Sequence, residues 1–209
     1  MKQKQPWMQK HEHTIPSLVE LQDMVWECRS SRNWYFESRE VIRQAFGTDM
    51  YLFARILAAT SPMRSVRDNL VEAYRVYNFV RPLVDMYQHD ESLSKFQAHN
   101  LNLLRICKGE ELQGRKVKSF YLALIGDENA VTIDRWIMRV FNLDRNPTKA
   151  DYDNIEYIIR LLSENTFDRF GRKFSPAECQ ACLWSYARKQ AGKVELFSFK
   201  EYLIEKAHL

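Results

Sequence analysis

Lys116 and Asp134 are the two residues whose types and spacing could support a shared chemistry. Lys116 lies at the start of one predicted helix, and a neutral lysine amine can attack a sugar carbon to form a Schiff base. The neighbouring cations Arg115 and Lys118, together with burial, would favour that neutral amine. Asp134 lies two residues after Thr132, the predicted N-cap of the next helix, where backbone N–H groups favour an ionised carboxylate. Such a carboxylate could stabilise a sugar cation while a glycosidic bond breaks.

Each member of this pair also has a simpler interpretation. Lys116 could be an ordinary surface lysine, although helix N-termini disfavour cations, and Asp134 could merely stabilise the helix that it starts. The separation of 18 positions, together with the family resemblance described below, favours the functional interpretation.

The composition favours a helical protein. The 209 residues are 45% hydrophobic and 28% charged, which is enough apolar material for a sizeable core. Glycine and proline number six each, too few for the many turns of an all-β chain. We expect an all-α fold of about nine or ten helices in two packed lobes. Residues 1–14 are polar and predict a flexible arm, 15–209 predict a single helical domain, and the polar stretch 142–151 is the expected lobe junction.

Hydrophobic periodicity and end signals predict where the helices lie. Ser17 and Thr48 are expected N-caps, Gly47 an expected C-cap, and Pro62 an expected helix terminator. Trp26, Trp34 and Trp184 are expected in the core. The first predicted helix begins after Ser17. The other predicted helices span 33–46, 48–60, 65–80, 93–107, 115–126, 132–143, 151–167, 175–190 and a short stretch near 198–207.

Charge and cysteine usage narrow the class of protein. The net charge of +4 permits a nucleic-acid partner without requiring one. No apolar run could cross a membrane or act as a signal peptide, so the four cysteines are expected to be reduced thiols in the cytoplasm. The sequence His11-Glu12-His13 could bind a metal, but adjacent residues on an arm rarely build a closed site, and a solvated tail is the favoured interpretation.

The stretch 114–141 resembles the helix-hairpin-helix DNA glycosylases of the endonuclease III and 8-oxoguanine glycosylase type. Members of that family carry a hairpin close to LPGVGRK, an apolar helix, and then VDTHIFRV or a similar sequence. This chain has QGRKV, an apolar helix and then TIDRWIMRV, with the family's separation between lysine and aspartate. Upstream, FARILAATSPMRSVRDNLVEAYRVY resembles the helix pair whose polar turn wedges into the DNA stack. The resemblance covers residues 48–142.

This resemblance implies a fold, an activity and a set of site residues. Lys116 falls on the Schiff-base lysine of the family and Asp134 on its catalytic aspartate. The implied enzyme flips a base out of DNA, attacks the sugar and cleaves the base–sugar bond, and can also cut the strand. No cofactor is implied, the partner is DNA, and a monomer is expected. The expected DNA contacts are Thr60 and Ser61 at the wedge, Arg64 and Arg67 beside it, and Gly114, Arg115, Lys118, Trp136 and Arg139.

The chain departs from the family at three points. The family's first hairpin glycine is Leu112 here, and Trp136 replaces a histidine. Only Cys179 and Cys182 lie where an iron–sulfur cluster would need four thiolates, so these two are expected to pack in the core.

These departures leave two alternatives open. The chain also resembles a virus-encoded branch thought to modify thymine by displacing pyrophosphate, for which Arg115, Lys116 and Arg139 would hold the leaving group. SPAECQACLW resembles short proteins of bacterial viruses. A DNA-binding module without catalysis is the third interpretation, supported by the missing glycine and cysteines.

Overall fold

The structure, a computed structural model, describes residues 7, 10, 11, 14–86, 101–193, 199 and 203. The described chain is built of helices, and it contains no strand beyond a single bridge between Phe167 and Lys173, which confirms the all-α prediction. The helices are α1 (Leu18–Glu27), α2 (Trp34–Phe46), α3 (Met50–Thr60), α4 (Val66–Met86), α5 (Leu101–Cys107), α6 (Arg115–Ile125), α7 (Arg135–Val140), α8 (Lys149–Glu164) and α9 (Pro176–Gln190), with 3₁₀ turns at Arg29–Ser31 and Gly47–Asp49.

Three helices begin with reciprocal capping boxes. Ser17 caps α1 as predicted: its hydroxyl accepts from the N–H of Glu20, and the Glu20 carboxylate accepts from the N–H of Ser17. Thr148 with Asp151 starts α8 in the same way, and Ser175 with Glu178 starts α9. Each box satisfies N–H groups that a helix end would otherwise leave without partners, so the sequence fixes these three starts locally.

Other predicted boundaries were wrong. Asp49, not Thr48, occupies the N-cap position of α3, because Gly47–Asp49 forms a 3₁₀ turn before the helix. Pro82 lies inside α4, which continues to Met86. A proline costs a helix one hydrogen bond, and tertiary packing can outweigh that loss. Two further predicted helices lie partly outside the described residues. Residues 93–100 of the helix predicted at 93–107 are not described, and only residues 199 and 203 of the helix predicted near 198–207 are.

The chain divides into two compact units. Unit 1 comprises Met1–Tyr35 and Asp127–Leu196, and unit 2 comprises Phe36–Gly126 and Phe197–Leu209. The chain passes between the units within α2 and again directly after α6. The lobe junction predicted at 142–151 is therefore misplaced, since that stretch lies within unit 1.

Unit 1 is organised around α9, which packs against α1, α7 and α8. Its face buries Cys179, Cys182 and Leu183 completely, so both C-terminal thiols lie in the core. Trp26 of α1 is instead 37% exposed, contrary to its predicted core position. Trp34 and Trp184 are half-buried, with ring centroids 5.9 Å apart. The rest of the core comes mainly from the apolar faces of α1, α7 and α8.

Unit 2 is organised around α3, which packs against α4, α5 and α6. As its apolar sequence predicts, α3 is almost wholly buried, with Phe53, Ile56 and Leu57 at zero exposure. Phe53 also stacks on Phe46 at a centroid distance of 3.8 Å. Burying side chains of this size contributes about 1.5–3 kcal/mol each, so α3 is the main source of apolar stabilisation in this unit.

Asp151 is the fully buried carboxylate of unit 1. It accepts hydrogen bonds from both terminal nitrogens of Arg145, from the N–H and hydroxyl of Thr148, and from Trp7 Nε1 at 2.9 Å. Trp7 belongs to the segment 1–14 that the sequence predicts as a flexible arm, and this hydrogen bond joins it to Asp151. Burial opposes the charge of Asp151, but the hydrogen bonds from Arg145, Thr148 and Trp7 outweigh it and hold the pKa below its usual 3.8.

We predict that Asp151→Asn lowers the free energy of unfolding at pH 7 by about 3 kcal/mol, because it leaves Arg145 without its buried partner. The depressed pKa means that the stabilisation is present above pH 4 and is lost as the pH falls below that value. Urea unfolding should therefore show the same gap between wild type and variant at pH 7 and pH 5, and a smaller gap at pH 3. The control is Asp153→Asn, an exposed position on the same helix. A gap that does not change with pH would contradict this account.

Candidate functional site

Asp134 lies in unit 1 as the N-cap of α7, with extended backbone angles. Its Oδ1 accepts hydrogen bonds from the backbone N–H of Trp136 at 2.9 Å and of Ile137 at 3.0 Å. Its Oδ2 accepts from Trp184 Nε1 of α9 at 3.1 Å. The prediction that Thr132 caps this helix was wrong, because Thr132 is buried and the N-cap is Asp134, two residues later. The carboxylate is thus bonded to its own helix and also to a side chain 50 positions away.

Charged and aromatic groups of unit 1 surround this carboxylate. Burial lowers the pKa of Arg188, and the negative charge of Asp134 opposes that shift. Burial raises the pKa of Tyr35, the Thr132 hydroxyl opposes that change, and the charge of Asp134 adds to it. The Tyr35 hydroxyl donates to Gln180 Oε1 at 2.7 Å. Three N–H donors and a nearby guanidinium therefore favour the ionised form of the aspartate.

Trp136 lies in the first turn of α7, and three cations approach its indole ring. The Arg139 guanidinium carbon is 4.6 Å from the ring centroid, that of Arg188 is 5.9 Å away, and Lys193 Nζ is 5.5 Å away. Arg188 also lies 4.6 Å from the Trp184 ring. Such cation–π contacts hold positive charge beside an aromatic surface, a combination that suits phosphate and base binding. We call Asp134, Trp136, Trp184, Arg139, Arg188 and Lys193 the Asp134 cluster.

Lys116 lies in unit 2, in the first turn of α6, and is half-buried. Its Nζ donates to the Ser61 carbonyl oxygen and to the Ser61 hydroxyl, both at 3.3 Å. Gly114 is the N-cap of α6 with φ +89°, a conformation that favours glycine. The structure therefore brings Lys116 to the turn that follows α3, which the sequence had identified separately as the candidate wedge.

Thr60 and Ser61 are not the exposed residues of that turn, contrary to their predicted role as a DNA wedge. Both are buried. The Ser61 hydroxyl donates to the Ala58 carbonyl oxygen, and the single proton of the Thr60 hydroxyl lies between two acceptors, Asn69 Oδ1 at 2.7 Å and the Ile56 carbonyl oxygen at 3.0 Å. The tip of the turn is Met63, which is 84% exposed with φ +62°. A methionine with positive φ is uncommon and costs about 1–2 kcal/mol, which makes this exposed residue a candidate for function.

The remaining predicted contacts lie on the surface. Arg115 and Arg67 are exposed, and Arg64 lies 3.7 Å from Glu72. Lys118 Nζ lies 3.0 Å from Glu111 Oε2. Two of the predicted contacts, Arg139 and Trp136, lie together in the Asp134 cluster. The Nε of Arg139 also donates to Asp144 at 3.2 Å.

Sequence reasoning missed Trp184, Arg188, Lys193 and Met63. Trp184 and Arg188 are four positions apart on α9, a spacing that places both on one helix face and could have drawn attention to them. The residue type of Trp184 alone predicts a position in the core. Met63 follows Pro62 in the turn, but nothing local distinguishes its exposure from that of Ser61.

Within the described ranges, no group of three or more His, Cys, Asp or Glu residues is arranged to hold a metal ion. Of the residues His11, Glu12 and His13, which could bind a metal, only His11 lies among the described residues. Among the helices that the structure describes, none has the length and apolar character needed to cross a membrane.

The sequence profile of a family of unknown function, DUF7178, matches residues 22–191. That range covers most of the chain and nearly all of the helices described above, so the protein belongs to this family. No curated protein and no solved structure matches the chain.

We predict that Asp134→Asn costs about 1–2 kcal/mol of stability through Trp184 rather than through the helix cap. Asparagine is an equally good N-cap, so the bonds from Trp136 and Ile137 can persist. Its amide NH₂ group, however, would meet the indole N–H of Trp184 donor to donor. Changing Trp184→Phe removes that conflict, so Asp134→Asn should cost about 1 kcal/mol less in this background when urea unfolding is measured. Equal costs in the two backgrounds would show that Trp184 does not depend on this carboxylate.

Proposed function

We propose that this protein acts on a base in DNA as a glycosylase-like enzyme, with Lys116 as the attacking amine and Asp134 as the stabilising carboxylate. The neutral amine attacks C1′ of an extruded nucleotide, and the base leaves with the electron pair of the glycosidic bond and takes up a proton. The amine then loses a proton as the sugar ring opens to a Schiff base. Water releases an abasic site, or elimination of the 3′ phosphate cuts the strand.

The contact between Lys116 and Ser61 carries this proposal. The lysine comes from the segment matched to the family's hairpin, and the serine comes from the segment matched to its wedge, 55 positions earlier. Two resemblances read separately from the sequence thus meet at one place in unit 2. The two hydrogen bonds from Nζ to Ser61 hold the amine at this turn, where an inserted nucleotide would meet it.

The surroundings of Asp134 supply the second support. A carboxylate that accepts three N–H hydrogen bonds and lies near Arg188 remains charged without needing to reorganise. A fixed negative charge of this kind stabilises positive charge that develops on a sugar during bond cleavage. The cations on Trp136 are suited to a phosphate oxygen, and the indole is suited to stacking on a base.

The tip of the turn after α3 supplies the third support. Met63 presents an apolar side chain with Arg64 and Arg67 close by in sequence, and all three are exposed. Proteins that open a DNA stack often insert an apolar residue such as methionine while cations hold the flanking phosphates. This assignment replaces Thr60 and Ser61 as the proposed wedge.

We predict that borohydride traps the wild-type protein covalently on DNA that contains an abasic site, because the hydride reduces the Schiff base. Lys116→Ala should abolish this adduct on a denaturing gel. Lys118→Ala is the matched control, because Lys118 is an exposed lysine two residues further along the same helix and is paired with Glu111. It should trap as the wild type does. Adducts that persist in Lys116→Ala, or that vanish only in Lys118→Ala, would refute the assignment.

A further inference from the structure

Unit 2 contains a cleft of about 830 Å³ at some distance along α6 from Lys116. A volume of this size is within the usual range of small-molecule sites. The N-terminal half of α3, the C-terminal part of α4, the end of α5 with the residues after it, and the middle of α6 form its walls. Its polar and aromatic lining consists chiefly of Asp49, Tyr51, Arg55, Arg81, Lys108 and Tyr121.

Two cations in this lining have no carboxylate partner within the described part of the chain. Arg55 Nη2 donates to the Glu110 carbonyl oxygen, which occupies one of its five N–H donors and fixes the guanidinium. Lys108 is exposed at the end of α5. Arginine and lysine at the wall of a cleft are the usual ligands of a phosphate group.

The carboxylate of the cleft is neutralised by its neighbours. Asp49 forms an ion pair with Arg81 and accepts a hydrogen bond from the Tyr77 hydroxyl at 2.8 Å. Burial opposes the charge of Asp49, but these two contacts hold its pKa below the usual value. Because Arg81 balances Asp49, the charges of Arg55 and Lys108 give the cleft its positive character.

Two tyrosines lie close to Arg55. Burial raises the pKa of Tyr121, the positive charge of Arg55 opposes that shift, and Tyr51 adds to it, so the three side chains lie near one another. Tyr51 is 55% exposed although it begins a buried helix. An exposed aromatic ring beside an arginine offers a stacking surface for a planar group next to a phosphate site.

We propose that this cleft binds a nucleotide, with its phosphate on Arg55 and Lys108 and its base stacked against Tyr51. Phosphate binding accounts for the two cations that have no carboxylate partner among the described residues, and base stacking accounts for the exposed tyrosine. The nucleotide could be free or a unit of a single DNA strand, and both sources share this chemistry. The proposal does not depend on Lys116 or Asp134, and it stands or falls separately from the glycosylase activity.

Isothermal titration calorimetry on the full chain tests this proposal with four probes: dAMP, deoxyadenosine, deoxyribose 5-phosphate and the oligonucleotide (dA)₈. We expect saturable 1:1 binding of dAMP. Deoxyadenosine, which lacks the phosphate, and deoxyribose 5-phosphate, which lacks the base, should each bind at least about tenfold more weakly. The variants Arg55→Gln, Lys108→Gln and Tyr51→Leu should each weaken dAMP binding by about tenfold. Lys108 is exposed, so its variant tests the site even if Arg55→Gln fails to fold.

The controls are matched in residue type, and the tyrosine control is also matched in exposure. Arg75→Gln changes an exposed arginine of α4 in the same unit, and Tyr157→Leu changes a tyrosine that is 53% exposed in unit 1; both should bind dAMP as the wild type does.

The probes also identify the source of the nucleotide. Tighter binding of (dA)₈ than of dAMP, lost in Lys108→Gln, supports a DNA strand, whereas equal or weaker binding supports a free nucleotide. No binding of dAMP at millimolar concentration, equal binding of deoxyribose 5-phosphate, or wild-type affinity in all three cleft variants would overturn the proposal.

Discussion

The carboxylate of Asp134 accepts three N–H hydrogen bonds, and the structure around it in unit 1 depends on that acceptor. Two of the bonds start α7, which has only six residues and cannot be stable through its own hydrogen bonds. The third bond ties Trp184 of α9 to the start of that helix. The charge also balances Arg188, a cation that burial disfavours. One side chain thus joins a helix start, an indole and a buried cation.

The same group therefore serves structure and the proposed chemistry at once. A carboxylate that holds a helix is immobile, and an immobile charge can stabilise a developing cation without a cost of reorganisation. Lys116 has a comparable double character in unit 2, where its bond to Ser61 holds the turn after α3 and also fixes the amine. The strained backbone at Met63 belongs to that same turn. Strain of this kind persists only where the surrounding contacts impose it.

The sequence predicted the features that depend on neighbouring residues. Ser17 starts α1 through local hydrogen bonds, α2 ends directly before Gly47 with its positive φ, and the apolar run of α3 required burial. Features that depend on distant residues were missed. Thr60 and Ser61 are polar and follow a helix, which suggested exposure, but their hydroxyls bond back to α3 carbonyls. The partnership between Asp134 and Trp184 spans 50 positions, and no local pattern encodes it.

We propose that this protein removes a base from DNA and that Asp134 assists the removal. Mass spectrometry of nucleosides tests it most directly, using duplexes that each carry one damaged or modified base, treated with wild type or Asp134→Asn. We expect the wild type to release one of these bases and leave an equal amount of abasic sites, and the variant to do so more slowly by about 100-fold or more. Unchanged nucleosides in every duplex, or a base of altered mass with no abasic sites, would contradict it.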